Sequence, residues 1–307
     1  MKRTILAAGT MCFDTLETPN EIRERIMGGC VNYFSLGASI FTNVEISSII
    51  GVDFPKDYLT YLNTRGIGTS NIEHSKTGKT YHWHAKYKGT MNEAETVDTP
   101  LNILVDYEPT MNEIAKKCEI LFLANLIPAK QLKALSEAKD AKLKISDTMA
   151  CWISDEITVA DLKKVMAKVD VFVINEHEAR ALTKETNITT ALYKLADMGP
   201  KAVIIKKGEY GAVLYKKGEK IFSVPAFPVE KVVDTTGAGD TFAGGFVGYL
   251  ATCPNYNDYK EMKKAILYGT VTASFVVQGF GTEALIEVSM NDIQRRYNEL
   301  LEMIKID

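Results

Sequence analysis

Asp234-Thr-Thr-Gly-Ala-Gly-Asp240, with Thr241-Phe-Ala-Gly-Gly-Phe-Val247 directly after it, packs a glycine-rich turn, an acidic residue and a helix start into fourteen positions. Gly237 and Gly239 carry no Cβ, so backbone N–H groups there can come close to a bound anion. The apolar run over residues 242–250 reads as a helix. Its first turn leaves unpaired N–H donors at the positive end of the dipole, which suits a phosphate. A carboxylate in the same place, Asp240, would repel a phosphate unless it had a task, and the obvious task is taking a proton from a hydroxyl. The pairing points to transfer of a phosphoryl group to an alcohol.

Outward from this segment, short apolar runs alternate with longer amphipathic stretches. Strands are predicted over residues 4–8, 44–50, 120–124, 144–146, 169–174 and 202–206. Helices are predicted over 31–41, 58–65, 128–138, 157–168, 177–184, 188–196, 241–251 and 260–277. That alternation implies βαβ units, a mostly parallel sheet and helices on both faces. No repeat and no low-complexity linker divides the 307 residues. One region departs from the pattern. Between about residues 74 and 108 the helical period vanishes, and Thr80-Tyr-His-Trp-His-Ala-Lys-Tyr87 reads as an extended strand. Period-2 alternation puts Tyr81, Trp83, Ala85 and Tyr87 on one face and His82, His84 and Lys86 on the other. Residues 15–27 are likewise poor in core character and are candidates to pair with it.

Hydrophobic content of 46% and charged content of 24% are those of a soluble globular chain. A net charge of −3 gives no general attraction to nucleic acid or an anionic membrane, so a polyanionic ligand must be held by local donors. Cys12, Cys30, Cys118, Cys151 and Cys253 are widely spaced and form no Cys-x-x-Cys pair, which argues for a reducing, cytoplasmic home. Met1-Lys-Arg-Thr-Ile-Leu-Ala-Ala-Gly9 superficially imitates a signal peptide, but its apolar run is short and reads as the first core strand. No stretch is long enough to span a bilayer.

The segment over 234–247 resembles the C-terminal signature of the PfkB/ribokinase family of sugar and nucleoside kinases. It matches at both flanking aspartates and at the small residues Ala243, Gly244 and Gly245. The resemblance continues in chain order through Asp14, the diglycine Gly28-Gly29, a lid excursion, Asn175-Glu-His-Glu178 and the turn Lys206-Lys-Gly-Glu-Tyr-Gly-Ala212. It implies a single ribokinase-like α/β domain over 1–307, a three-layer sandwich around a central, mostly parallel sheet. A small β-sheet lid over the substrate would come from residues 15–27 and 74–108. The implied activity moves the γ-phosphoryl of Mg·ATP to a hydroxymethyl group of a sugar. The alternatives are a nucleoside kinase of the same fold and a non-catalytic sugar sensor.

Residue by residue, the resemblance makes Asp240 the base and Gly237, Ala238 and Gly239 the anion hole, with Asp234 fixing the loop and Thr235 and Thr236 beside the nucleotide. Lys206, Gly208 and Gly211 would border ATP, although a β-hairpin turn with solvated lysines fits the same residues. Ser274, in a helix-and-turn over 273–279, would flank the adenine. Asn175 and Glu178 would order Mg²⁺ mostly through water; equally, Asn175 as N-cap with Glu178 at N3 is a capping box. Asp14 would accept sugar hydroxyls, and Gly28 and Gly29 would let backbone approach the sugar. K⁺ beside the anion hole and a homodimer through the lid follow by analogy alone.

Two departures bear on the substrate. The family usually has Asn four residues after the second glycine, where this chain has Tyr33, with Asn32 one position earlier. On a helix that is a rotation of about 100°. In Asp147-Thr-Met-Ala-Cys-Trp152, relatives carry Asp-x-Asn-x-Arg, and only the aspartate survives. Both weaken an ordinary ribose or fructose-phosphate specificity, and no basic cluster near Asp14 awaits a phosphosugar. His82 and His84 share a strand face but have no local third zinc ligand. Aromatic residues in a lid are better suited to stacking on a sugar or nucleobase.

Overall fold

In the strand Ile5–Ala8 (β1), sequence ILAA, every side chain is buried, as expected for a central parallel strand covered on both faces. In this computed structural model, which describes residues 3–87, 91 and 94–306, β1 is followed by β2 (Cys12–Glu17), β3 (Ile22–Gly28) and α1 (Cys30–Ser39). Next come β4 (Val44–Ile50), α2 (Lys56–Thr64), β5 (Ile67–His74), β6 (Tyr81–Tyr87) and β7 (Ala94–Asp98). The middle of the chain supplies β8 (Ile120–Leu123), α3 (Pro128–Glu137), β9 (Leu143–Ser146), α4 (Glu156–Met166), β10 (Val171–Asn175), α5 (Glu176–Thr183) and α6 (Ile188–Asp197). Last are β11 (Ala202–Lys206), β12 (Ala212–Lys216), β13 (Phe222–Val224), α7 (Ala238–Thr252), α8 (Tyr259–Val276) and α9 (Met290–Ile304).

The main sheet has the order β13-β12-β11-β10-β9-β8-β1-β4-β5. Its strands pair in parallel from β5 across to β11, and β12 and β13 add antiparallel at the far edge. Strand alternation builds the three layers. Ile5, Ala7, Ile120, Phe122, Val171 and Val173 pack toward α1, α7 and α8. Their neighbours Leu6, Ala8, Leu121 and Leu123 pack toward α3 and α4, and Phe172, Ile174, Val203 and Ile205 toward α5 and α6. The helix α7 is apolar nearly all round because it lies between α1 and α8. Its contact with α1 is close: a Cβ on Gly244 would meet the Phe34 carbonyl oxygen at 2.4 Å.

A second, four-stranded sheet has the order β3-β2-β6-β7 and forms the lid. The two excursions that the sequence marks as poor in core do pair, with β2 running parallel to β6. Its own small core is Leu16, Ala85 and Tyr87. Leu104 and Tyr107, farther along the second excursion, pack instead with Ile49 and Leu126 under the main sheet's end.

Chain order reverses between β1, which leads to β4 and β5, and β8, which leads to β9, β10 and β11. Ligands of open α/β sheets bind beyond the strands' carboxyl ends at such a point. Among the described residues, no helix is long and apolar enough to cross a membrane.

Candidate active site

A cavity of about 200 Å³ opens at that reversal. Its floor comes from the carboxyl ends of β1, β8, β9 and β11, through Thr10, Asn125, Asp147 and Lys206. The loop before α7 and Asp240 form one wall, and Tyr81, Trp83 and Tyr87 of the lid close it above. The register of β2 on β6, with Cys12 opposite Tyr81 and Asp14 opposite Trp83, puts all four on the cavity side. His82 and His84 fall on the other face, where their Nε2 atoms pair with Thr15 Oγ1 and Glu17 Oε1, both at 3.0 Å.

At the end of the cavity beside β2, Asp14 is 1% exposed. Cys12 Sγ donates to its Oδ1 at 3.0 Å, and Tyr33 Oη to its Oδ2 at 3.4 Å. Burial pushes the Asp14 carboxyl up to about 7. Burial and the neighbouring Asp14 also hold the Cys12 thiol well above its usual range, so it stays an S–H donor. The diglycine has a steric cause: a Cβ on Gly28 would lie 1.9 Å from Asp14 Oδ2. The one-residue departure on α1 is decided by helix rotation. Tyr33 lines the cavity, while Asn32 is fully buried and donates its Nδ2 to the Gly28 carbonyl.

At the other end, α7 starts at Gly237 with φ 72°, and no side chain caps it. A Cβ on Gly237 would also sit 2.2 Å from the Tyr33 ring. Asp234 pins the loop by accepting from Thr236 N at 2.9 Å and from Gly281 N at 3.0 Å. Lys206 Nζ pairs with Asp147 Oδ2 at 2.6 Å and lies beside Gly239, 2.9 Å from where a Cβ would be. An uncapped helix start, two glycines and a half-buried ammonium fit a phosphate. Burial, reinforced by Asp147 and opposed by Lys206, raises Asp240 to about 8. For Lys206, burial works against the charged form, but Asp147, Glu178 and Asp240 outweigh it and hold its pKa up.

Several expected residues lie outside the lining. Asn175 and Glu178 form a complete capping box, Glu178 N donating to Asn175 Oδ1 at 2.8 Å and Asn175 N to Glu178 Oε2 at 3.1 Å. Glu178 nonetheless faces the charged cluster: burial lifts it to about 7, with Lys206 pulling the other way and Asp147 adding to the rise. Gly208 and Gly211 adopt φ of 56° and 88° in the turn between β11 and β12, so the hairpin geometry is right while Lys206 is not a solvated lysine. Ser274 Oγ donates to the Val271 carbonyl at 2.6 Å and accepts from Arg296 Nη1 at 2.7 Å, away from the cavity. Ala238 opens α7 behind the lining glycines, and Thr235 and Thr236 do line the cavity. Sequence reasoning missed Cys12, Cys30, Asn125, Thr148 and Met149; their one available signal is position just beyond a predicted strand or diglycine.

A family model described as pfkB family carbohydrate kinase matches residues 10–288. A cytidine kinase of Thermococcus kodakarensis is 28% identical over 284 residues, covering 90% of this chain and 97% of its own. The nucleoside kinase structure of Methanocaldococcus jannaschii superposes with a TM-score of 0.77 at 23% identity, covering 97% of this chain and 98% of its own. The Arabidopsis thaliana ribokinase structure with ribose and ATP gives 0.77 at 19% identity, covering 97% and 99%. With the match spanning nearly all of the sequence, the chain belongs to the pfkB family of carbohydrate kinases and is an ATP-dependent phosphotransferase.

Proposed function

We propose that the enzyme transfers the γ-phosphoryl of Mg·ATP to the hydroxymethyl group of a sugar ring, and that this ring is the ribose of a nucleoside. One observation carries the reading: a cavity with a buried carboxylate at one end, a second carboxylate beside an uncapped helix start at the other, and a roof of three aromatic rings. The aromatic roof favours a nucleoside over a free sugar, as does similarity to a cytidine kinase over nearly its whole length.

In this reading Asp14 accepts the ribose hydroxyls and fixes the ring. Asp240 takes the hydroxymethyl proton as that oxygen bonds to phosphorus and the bond to the ADP oxygen breaks. The N–H groups over 237–239 and the Lys206 ammonium stabilise charge on the transferring oxygens. Glu178, Asn175 and Asp147 are the groups that would order water around Mg²⁺, which would supply charge neutralisation at the phosphates. Lid residues exclude bulk water, since otherwise ATP would be hydrolysed. The same reading includes K⁺ beside the anion hole, a cytoplasmic home, one domain over 1–307 with lid segments 15–27 and 74–108, and pairing of two copies through the lid.

The test is ADP production with Mg·ATP, with and without K⁺, against free sugars and ribonucleosides, using Asp240→Asn as blank. Phosphorus NMR would place the phosphate on the hydroxymethyl carbon. Full turnover in the blank would remove Asp240 from its role, and a free sugar outrunning every ribonucleoside would return the acceptor to a simple sugar.

A further inference from the structure

The polar atoms around the cavity are distributed very unevenly with respect to an acceptor, and this bears on how a nucleoside would be chosen. A site that reads a base by its edge needs free donors or acceptors set against that edge, and rejects a wrong base by leaving them unpaired. In the lid the polar tips are already engaged. Trp83 Nε1 donates to Thr96 Oγ1 at 3.1 Å, and an indole N–H is the only polar group that side chain has. The Tyr81 hydroxyl pairs with Thr99 Oγ1 at 2.9 Å, and the Tyr87 hydroxyl with Thr236 Oγ1 at 2.7 Å. On the floor, Asn125 Oδ1 accepts from Trp152 Nε1 at 2.6 Å, and its Nδ2 is 3.0 Å from Met149 Sδ. The Thr148 hydroxyl has no partner, but it is closed off from open space. Asp14 differs from these in being a buried acid, whose carboxylate makes stronger hydrogen bonds than the hydroxyls and amide, each of which keeps a spare site of its own. Each of its oxygens receives one donor, from Cys12 or Tyr33, and a carboxylate oxygen has room for another.

We propose that this enzyme selects its acceptor by the ribose and scarcely at all by the base. The inference rests on the nucleoside reading above and deepens it. Among the described residues, the cavity offers a base ring faces whose polar tips are tied to threonines. It offers the sugar a buried acceptor with lone pairs to spare. Stacking on aromatic faces tolerates any base, because every base has a π-face. A buried carboxylate deprived of a hydroxyl it should bind discriminates far more strongly.

The experiment measures kcat/KM for cytidine, uridine, adenosine, guanosine and inosine, for the 2′-deoxy and 3′-deoxy forms of two of them, and for free ribose. The ribonucleosides are expected to fall within about 10-fold of one another, while loss of a ribose hydroxyl lowers any of them by about 1,000-fold or more. Trp83→Ala is expected to lower every ribonucleoside by about 10-fold to 100-fold, with their ratios kept. One base preferred by more than about 100-fold over the rest would overturn the proposal, since stacking alone does not supply that ratio. Deoxynucleosides turned over as well as ribonucleosides would overturn it equally. Failure of the underlying reading looks different: free ribose outruns all five nucleosides.

Discussion

Asp240→Asn should make the empty protein more stable while lowering turnover steeply. Asp240 is enclosed with Asp147, Asp14 and Glu178 nearby and Lys206 as the opposing charge, and burial lifts it from the usual 3.8 to about 8. An acid raised on folding binds more protons in the folded state, so its contribution to stability falls as pH rises between the unfolded and folded values. From pH 6 to pH 8 the unfolded carboxyl is already ionised, and the folded one gives up its proton only near 8. The slope is about 1.4 kcal/mol per pH unit, and screening by water in the cavity leaves about 2 kcal/mol over the interval. For a chain of this size that is about 4 °C in Tm. Thermal unfolding without nucleotide, at pH 6 and pH 8, reads it directly: the variant's advantage should widen by that amount at the higher pH. In the same samples, kcat should drop by about 100-fold to 10,000-fold, the range for a lost general base. Parallel Tm curves for variant and wild type would refute the buried-acid argument, and a dead enzyme with parallel curves would leave Asp240 catalytic but electrostatically ordinary.

Two further substitutions separate roles that overlap in the geometry. Glu178→Gln keeps a residue able to close the capping box with Asn175. Stability should therefore hold, while the Mg²⁺ needed for half-maximal rate rises by about 10-fold; an unchanged Mg²⁺ requirement with an unchanged Tm would make Glu178 a cap alone. Breaking the Lys206–Asp147 pair from either side should move the pH–rate profile in opposite directions, because Lys206 lowers and Asp147 raises the Asp240 pKa. Lys206→Met should shift the rising limb to higher pH and cost about 3–5 kcal/mol by leaving Asp147 buried and uncompensated. Asp147→Asn should shift it to lower pH, and a common direction for both would contradict the electrostatic account.

The sheet and most of the site could be read from the sequence because both rest on local rules. Strand runs buried on two faces are continuously apolar, and Asp14, Lys206 and the 234–240 loop each sit just beyond such a run or before a helix. Part of what escaped depends on long-range partners, although β12 and the capped, amphipathic α9 carry local signals of their own and are missing from the predicted elements. The edge strand β5 buries just Ile67 and Ile72, five positions apart, and β13 is three residues long, so neither carries a core signature. Strand β7 is exposed along its whole length. Whether Asn32 or Tyr33 faces the cavity is a question of how α1 rolls against α7, which no spacing rule decides. Ser274 is a plausible nucleotide residue by position, yet Arg296, 22 residues later, takes its hydroxyl.

The two ends of the cavity, proposed to hold the acceptor and the phosphate, are built from shared side chains. Tyr33 donates to Asp14, and its ring fills the space that a Cβ on Gly237 would need. Tyr87 of the lid bonds Thr236, and Thr235 donates to the Met91 carbonyl at 2.5 Å, so the lid is fastened to the anion loop itself. In the reading proposed above, an acceptor bound on Asp14 under this roof is expected to order the donors over 237–239 as well. The proposed function then predicts that protection of ATP from hydrolysis and recognition of the sugar depend on one set of contacts. A substitution at Tyr33 should accordingly be felt in kcat as well as in KM for the acceptor.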